Sequence, residues 1–119
     1  MNDKKDIIKQ RSFAFAKRII KLYKYLTDSK KDFVMSKQLL RSGTAVGALV
    51  REAQNAESKA DFIHKLGIAQ KECDETLYWL ELLFESGYLL EKEFISIQKE
   101  ASDLLKMIRS AIITTKSRK

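Results

Sequence analysis

The side chains able to do chemistry in this 119-residue chain are few and isolated. His64 is the single histidine and Cys73 the single cysteine. A structural zinc needs four nitrogen or sulfur ligands, which one chain of this composition does not supply. Asp61-x-x-His64 has the spacing of half a carboxylate–histidine metal motif, but it occurs once, with Asp where bundle metal sites use Glu. An exposed helix-surface histidine is the simpler reading. Cys73 is flanked by Glu72 and Asp74, the opposite of the electropositive setting that activates a thiol. The pairs Glu72/Glu75 and Glu81/Glu85 share helix faces, as acid–base work would require, but the same spacing is common on solvated or interface faces. No phosphate-binding glycine loop or nucleophile elbow occurs. The expectation is therefore a protein with no catalytic residues, no metal and no cofactor.

The elements that carry these residues read as helices. Proline is absent and the four glycines stand singly, which favours long uninterrupted helices over turn-rich β structure. Helix 1, about 4–27, places Ile8, Phe15, Ile19, Leu22 and Leu26 on one face. A second apolar line, Phe13, Ala16, Ile20 and Tyr23, runs beside it, and Lys17, Lys21 and Lys24 form a basic stripe on the remaining side. Helix 2, about 33–56, with Asp32 as N-cap, buries Leu39, Gly43, Val46, Val50 and Ala53. Its small residues imply close approach to a bulky neighbour, because each interior glycine otherwise costs about 1 kcal/mol. Helix 3, about 58–86, opens on the capping-box-like Ser58-Lys59-Ala60-Asp61. It alternates Phe62, Leu66, Ala69, Cys73, Thr76, Leu80 and Leu83, and stops at Gly87. Helix 4, about 91–115, repeats the pattern with Phe94, Ile97, Ala101, Leu104, Ile108 and Ala111. Four such helices with short connections predict one all-α domain over 1–119, an up-down-up-down antiparallel four-helix bundle.

Charge is distributed unevenly. The net +7 divides into +7 for residues 1–37, −5 for 38–105 and +5 for 106–119. The predicted topology gathers Lys4, Lys5, Lys9 and Arg11 with Arg109, Lys116, Arg118 and Lys119 at one pole. Lys4, Lys5, Lys9, Arg11, Lys17, Lys21, Lys24 and Arg109 are thus the candidate nucleic-acid contacts, acting through phosphates. The aromatic residues lie mostly on apolar lines, so no base-stacking platform is visible and sequence-specific readout is not expected. The surplus apolar positions Phe13, Ile20, Tyr23, Ile68, Trp79 and Leu82 are candidate contacts of a homo-oligomer. No run approaches the roughly 18–20 apolar residues that span a bilayer, no signal-peptide core follows the N-terminus, and one cysteine suits a reducing compartment. A cytoplasmic protein with no membrane contact is expected.

The run Arg41-Ser42-Gly43-Thr44-Ala45-Val46-Gly47-Ala48-Leu49-Val50-Arg51-Glu52-Ala53-Gln54-Asn55-Ala56 is recognisable. So is its continuation through Asp61-Phe62-Ile63-His64-Lys65-Leu66, Asp74-Glu75-Thr76, Tyr78-Trp79-Leu80-Glu81-Leu82-Leu83 and Glu85-Ser86-Gly87-Tyr88. Over about residues 12–112 the chain resembles the bacterial four-helix-bundle family named for proteins encoded in 23S rRNA intervening sequences, also labelled ribosomal-protein-like. The resemblance implies the same bundle and, as in relatives, a homopentamer. The family is similar in turn to accessory proteins of diversity-generating retroelements, basic pentamers that associate with a reverse transcriptase and nucleic acid. The chain departs from a Ser-Ile-x-x-Asn-Ile run of the family, having Ala45 and Leu49 at the polar positions. Two functions stay open: an oligomer that binds nucleic acid, RNA above all, or a scaffold that recruits a protein partner.

Overall fold

The computed structural model describes residues 4–118, with side chains from Asp6 onward. Four helices follow in order: α1 Lys4–Asp28, α2 Met35–Gln54, α3 Lys59–Glu85 and α4 Glu91–Ser117. No strand occurs among the described residues. The helices pack in a ring, each against its neighbours in sequence, with α4 returning beside α1. The resulting bundle measures 50 × 24 × 23 Å.

The helix ends follow local chemistry. Ser58 Oγ accepts from the Asp61 backbone N–H at 3.0 Å. The returning bond of the box slips by one residue, because Asp61 Oδ2 accepts from the N–H of Glu57 at 3.3 Å. At the other end of α3, Gly87 has φ +86°. The Tyr88 N–H reaches Leu83 O at 2.9 Å and the Gly87 N–H reaches Phe84 O at 3.1 Å, the paired bonds of a Schellman stop. Helix α2 starts two residues later than its sequence predicts. Its N-cap is Val34, without a side-chain cap, in place of Asp32. Asp32, two residues earlier, accepts through Oδ2 from the N–H of Ser36 at 2.7 Å, and Phe33 and Val34 are left outside the helix and exposed.

The core lines read from the sequence are buried almost throughout. Phe15, Ile19, Leu26, Leu39, Val46, Leu80, Leu83, Ile97 and Ile108 are fully enclosed. The exceptions are Phe62 and Ala111, half-buried beside a shallow apolar cleft between the start of α1 and the end of α4. The polar core is satisfied: Thr76 Oγ1 donates to Ser42 Oγ at 2.9 Å, Ser42 bonds back to Leu39 O, and no buried polar side-chain atom lacks a partner among the described residues.

Small residues let α1 and α2 approach. A Cβ on Gly43 would lie 2.8 Å from Ile19 Cγ1, and one on Gly47 would lie 3.2 Å from the backbone oxygen of Ser12. A Cβ on Gly67 would meet nothing within 4 Å. Glycine's conformational cost is therefore offset by packing at Gly43 and not at Gly67. Gly67→Ala is expected to stabilise the protein by about 1 kcal/mol. Gly43→Ala gains the same helix propensity but overpacks a rigid Ile19 by about 1–3 kcal/mol, for a net loss of up to about 2 kcal/mol. Thermal melts of the two variants should move in opposite directions. Leu49, one of the two positions at which the chain departs from the run it resembles, packs against the core.

Candidate nucleic-acid interface

The α1 helix has no acidic residue between Asp6 and Asp28, yet carries six Lys/Arg in that interval. Helical spacing then separates them by role. Arg18 turns toward α4, where its Nη1 meets Glu100 Oε1 at 2.9 Å and its Nη2 meets Glu93 Oε1 at 3.2 Å and Ser96 Oγ at 2.9 Å. Burial opposes its charge, but the bonds to Glu100 and Glu93 outweigh that and hold the guanidinium above its ordinary pKa. Arg18 is thus a clasp between α1 and α4. Lys17, Lys21 and Lys24 emerge on the outer side, exposed and without an ion pair among the described residues. The stripe read from the sequence is therefore a surface of uncompensated charge.

Helix α2 extends it. No acid lies between Asp32 and Glu52, while Lys37, Arg41 and Arg51 do. Arg51 of α2 and Lys17 of α1 converge on Phe13, with Cζ at 5.2 Å and Nζ at 5.3 Å from the ring centroid. Phe13 is 50% exposed. Arg51 is not among the candidates drawn from the sequence, although the acid-free run of 33–51 that ends at it is a usable signal.

The pole is less unified than the topology alone implies. Lys9 and Arg11 are exposed, but the charge of Arg11 bears on Asp103 of α4. Arg109 emerges on the α3 side, where its charge reaches Cys73, so it does not join the lysine stripe. Lys59 Nζ donates to the backbone oxygen of Arg118, which adds a cation there. The side chains of Lys4, Lys5 and Lys119 lie outside the described residues.

The residues with catalytic potential are held by structure. Cys73 is fully buried, and burial first, then the charge of Asp74, pushes its thiol up to about 12. Its Sγ donates to Ala101 O at 3.4 Å. His64 is exposed, and no group of three or more metal-ligating side chains among the described residues could hold an ion. Arg41 takes both oxygens of Glu72 at 3.1 Å and Glu75 Oε2 at 2.6 Å, and these bonds hold its guanidinium above its ordinary pKa.

Of the apolar surplus, Ile20 is 39% exposed, while Tyr23, Ile68 and Leu82 are half-buried. Trp79 packs partly against the core, and its Nε1 donates to Glu75 Oε2 at 3.0 Å. That bond, and then Arg41, hold Glu75 below the ordinary carboxylate value of 4.5. A depressed folded-state pKa means that the clasp contributes fully above the ordinary value and is lost as pH falls through the lowered one. Because Trp79 is the sole tryptophan, its fluorescence should titrate with a midpoint below 4.5. A midpoint at or above that value would contradict the Trp79–Glu75–Arg41 arrangement.

The fold defines an all-α antiparallel four-helix-bundle protein, and no described helix is long and apolar enough to cross a membrane. Within that class the chain belongs to the family of 23S rRNA-intervening sequence proteins, whose model it matches over residues 4–110. It is similar to a protein of unknown function from the S23 ribosomal protein family of Bacteroides thetaiotaomicron VPI-5482, known from its crystal structure. The two are 49% identical with a TM-score of 0.91, over 92% of this chain and 98% of the other. No curated protein matches the chain.

Proposed function

We propose that this protein is a non-enzymatic, cytoplasmic RNA-binding protein that works as a homo-oligomer and reads phosphates through the outer face of α1. The observation that carries the reading is the exposed, unpaired Lys17, Lys21 and Lys24 on a helix without an acid between residues 6 and 28. Two surface lysines elsewhere are compensated, Lys65 by Glu52 at 3.1 Å and Lys99 by Asp103 at 2.9 Å. What sets α1 apart is that these three lysines share one face with no carboxylate between residues 6 and 28. A helix face kept free of carboxylates suits a polyanion, and the family's name, which refers to 23S rRNA, supports RNA as that polyanion. The half-exposed Ile20 and Tyr23 on α1 and, separately, Ile68 and Leu82 with Trp79 on α3 supply apolar surface for contact between copies. A pentamer is the assembly that the family resemblance implies, and sedimentation equilibrium finding only monomer would remove it.

The test is binding of labelled single- and double-stranded RNA across a salt series. Three to five phosphate contacts predict a slope of log K against log salt of about −2 to −3.5 for a single strand. That weakens binding about 20- to 130-fold between roughly 50 and 200 mM salt. No binding at the low end overturns the RNA reading. The exposed apolar residues Phe33, Val34 and Leu90, on the loops at the opposite pole, favour the second reading, a scaffold that recruits a protein partner.

A further inference from the structure

We propose that Phe13 is a stacking platform for an unpaired base of single-stranded RNA, with Lys17 and Arg51 placed to hold the adjoining phosphates. The inference rests on the RNA-binding reading and gives it a defined contact. Its origin is local. Gly47 lets α2 approach so closely that a Cβ there would lie 3.2 Å from the backbone oxygen of Ser12. Phe13 is the next residue of α1, and Arg51 is one turn beyond Gly47 on α2. The close crossing therefore fixes the ring beside the guanidinium, at 5.2 Å, while Lys17, one turn on in α1, stands at 5.3 Å.

Phe13 belongs to the apolar line that contains Ile20, and contact between copies of the chain is the obvious competing use. Charge argues against it at this position. The segments 7–27 and 33–51 contain no carboxylate, and the next acid along α2, Glu52, is paired with Lys65. A two-fold self-association centred on Phe13 would crowd Lys17 and Arg51 of each copy together with nothing from these segments to neutralise them. In a ring, the facing surface of the neighbour would have to supply the carboxylates. A ligand that is both aromatic and anionic satisfies the ring and the cations at once. Contacts between an exposed ring and a cation are weak enough to be exchanged for a base on the ring and phosphates on the cations. Duplex RNA hides the faces of its bases inside the stack, so the occupant is a single strand.

The experiment compares wild type with Phe13→Leu, which keeps apolar bulk and every charge. Its probes are a labelled single-stranded RNA of about 12 nucleotides and a duplex of the same length, consistent with the span of a single stacking and phosphate-contact site. The expected result is a loss of about 5- to 100-fold in affinity for the single strand, with an unchanged salt slope, unchanged duplex binding, and recovery in Phe13→Trp. Undiminished single-strand affinity in Phe13→Leu would overturn the proposal, as would an equal loss on both probes, which would mark Phe13 as merely structural. Failure of wild type to bind either probe would instead remove the RNA reading, and this inference with it.

Discussion

Charge reversal at Lys17, Lys21 and Lys24 together is expected to weaken binding of single-stranded RNA at low salt by at least about 100-fold. Each lost phosphate contact lowers the salt slope by about 0.7 for a single strand, so three remove about 2 units of slope, and the introduced carboxylates add repulsion. Fold stability should stay within about 0.5 kcal/mol, because exposed side chains without ion pairs have little to lose on substitution. The two readouts belong together: fluorescence anisotropy across salt for binding, and a thermal melt for integrity. A variant that melts normally and binds RNA as well as wild type would move the contact away from α1. The pole with Lys9, Arg11, Lys59, Lys116 and Arg118 would then be the surface to test.

Phe15→Ala is the substitution expected to cost most in stability, about 3–5 kcal/mol. The ring is fully enclosed in a helix whose neighbour α2 sits unusually close, so the surrounding structure has little freedom to collapse into the cavity. Domains of this size have only about 5–15 kcal/mol in total, and urea denaturation should report a loss of about a fifth or more. Phe13→Ala, two residues away, should cost less than about 1 kcal/mol, since half the ring is already in water. A comparable loss in both variants would mean that Phe13 supports the core.

These two phenylalanines mark the boundary of what a sequence reading can reach. Both lie on apolar lines of α1 with helical spacing, and both lines were legible because burial against one side of a helix imposes a 3.6-residue period. Every residue named on the line through Phe15 is buried, and the polar Ser12 fills the gap between Ile8 and Phe15. The line through Phe13 was equally periodic, yet it borders a surface. Periodicity reports that a face is apolar and does not report what covers it.

The charges divide in the same way. That α1 is basic and α3 largely acidic is a property of composition, readable without coordinates. Which cations remain available is not, because adjacent residues such as Lys17 and Arg18 differ by about 100° around the helix. Arg18 meets Glu93 and Glu100 on α4, partners 75 and 82 residues away in sequence. Arg41 likewise finds Glu72 and Glu75 on α3. The sequence pattern alone treats these arginines as equivalent to Arg51.

Local interactions account for what the sequence by itself determined: four amphipathic helices, their buried lines, the Ser58 and Gly87 boundaries, the close-packing glycines and the acid-free α1. All of these depend on residues within a turn or two of one another, or on a single apolar face. Only the tertiary structure decided which arginines are spent on carboxylates, that Arg109 lies apart from the lysine stripe, and that Phe13 stands between Lys17 and Arg51. Those outcomes depend on which helix lies alongside and at what rotation, and that is set by the fit of the whole core, down to the contact of Gly43 with Ile19.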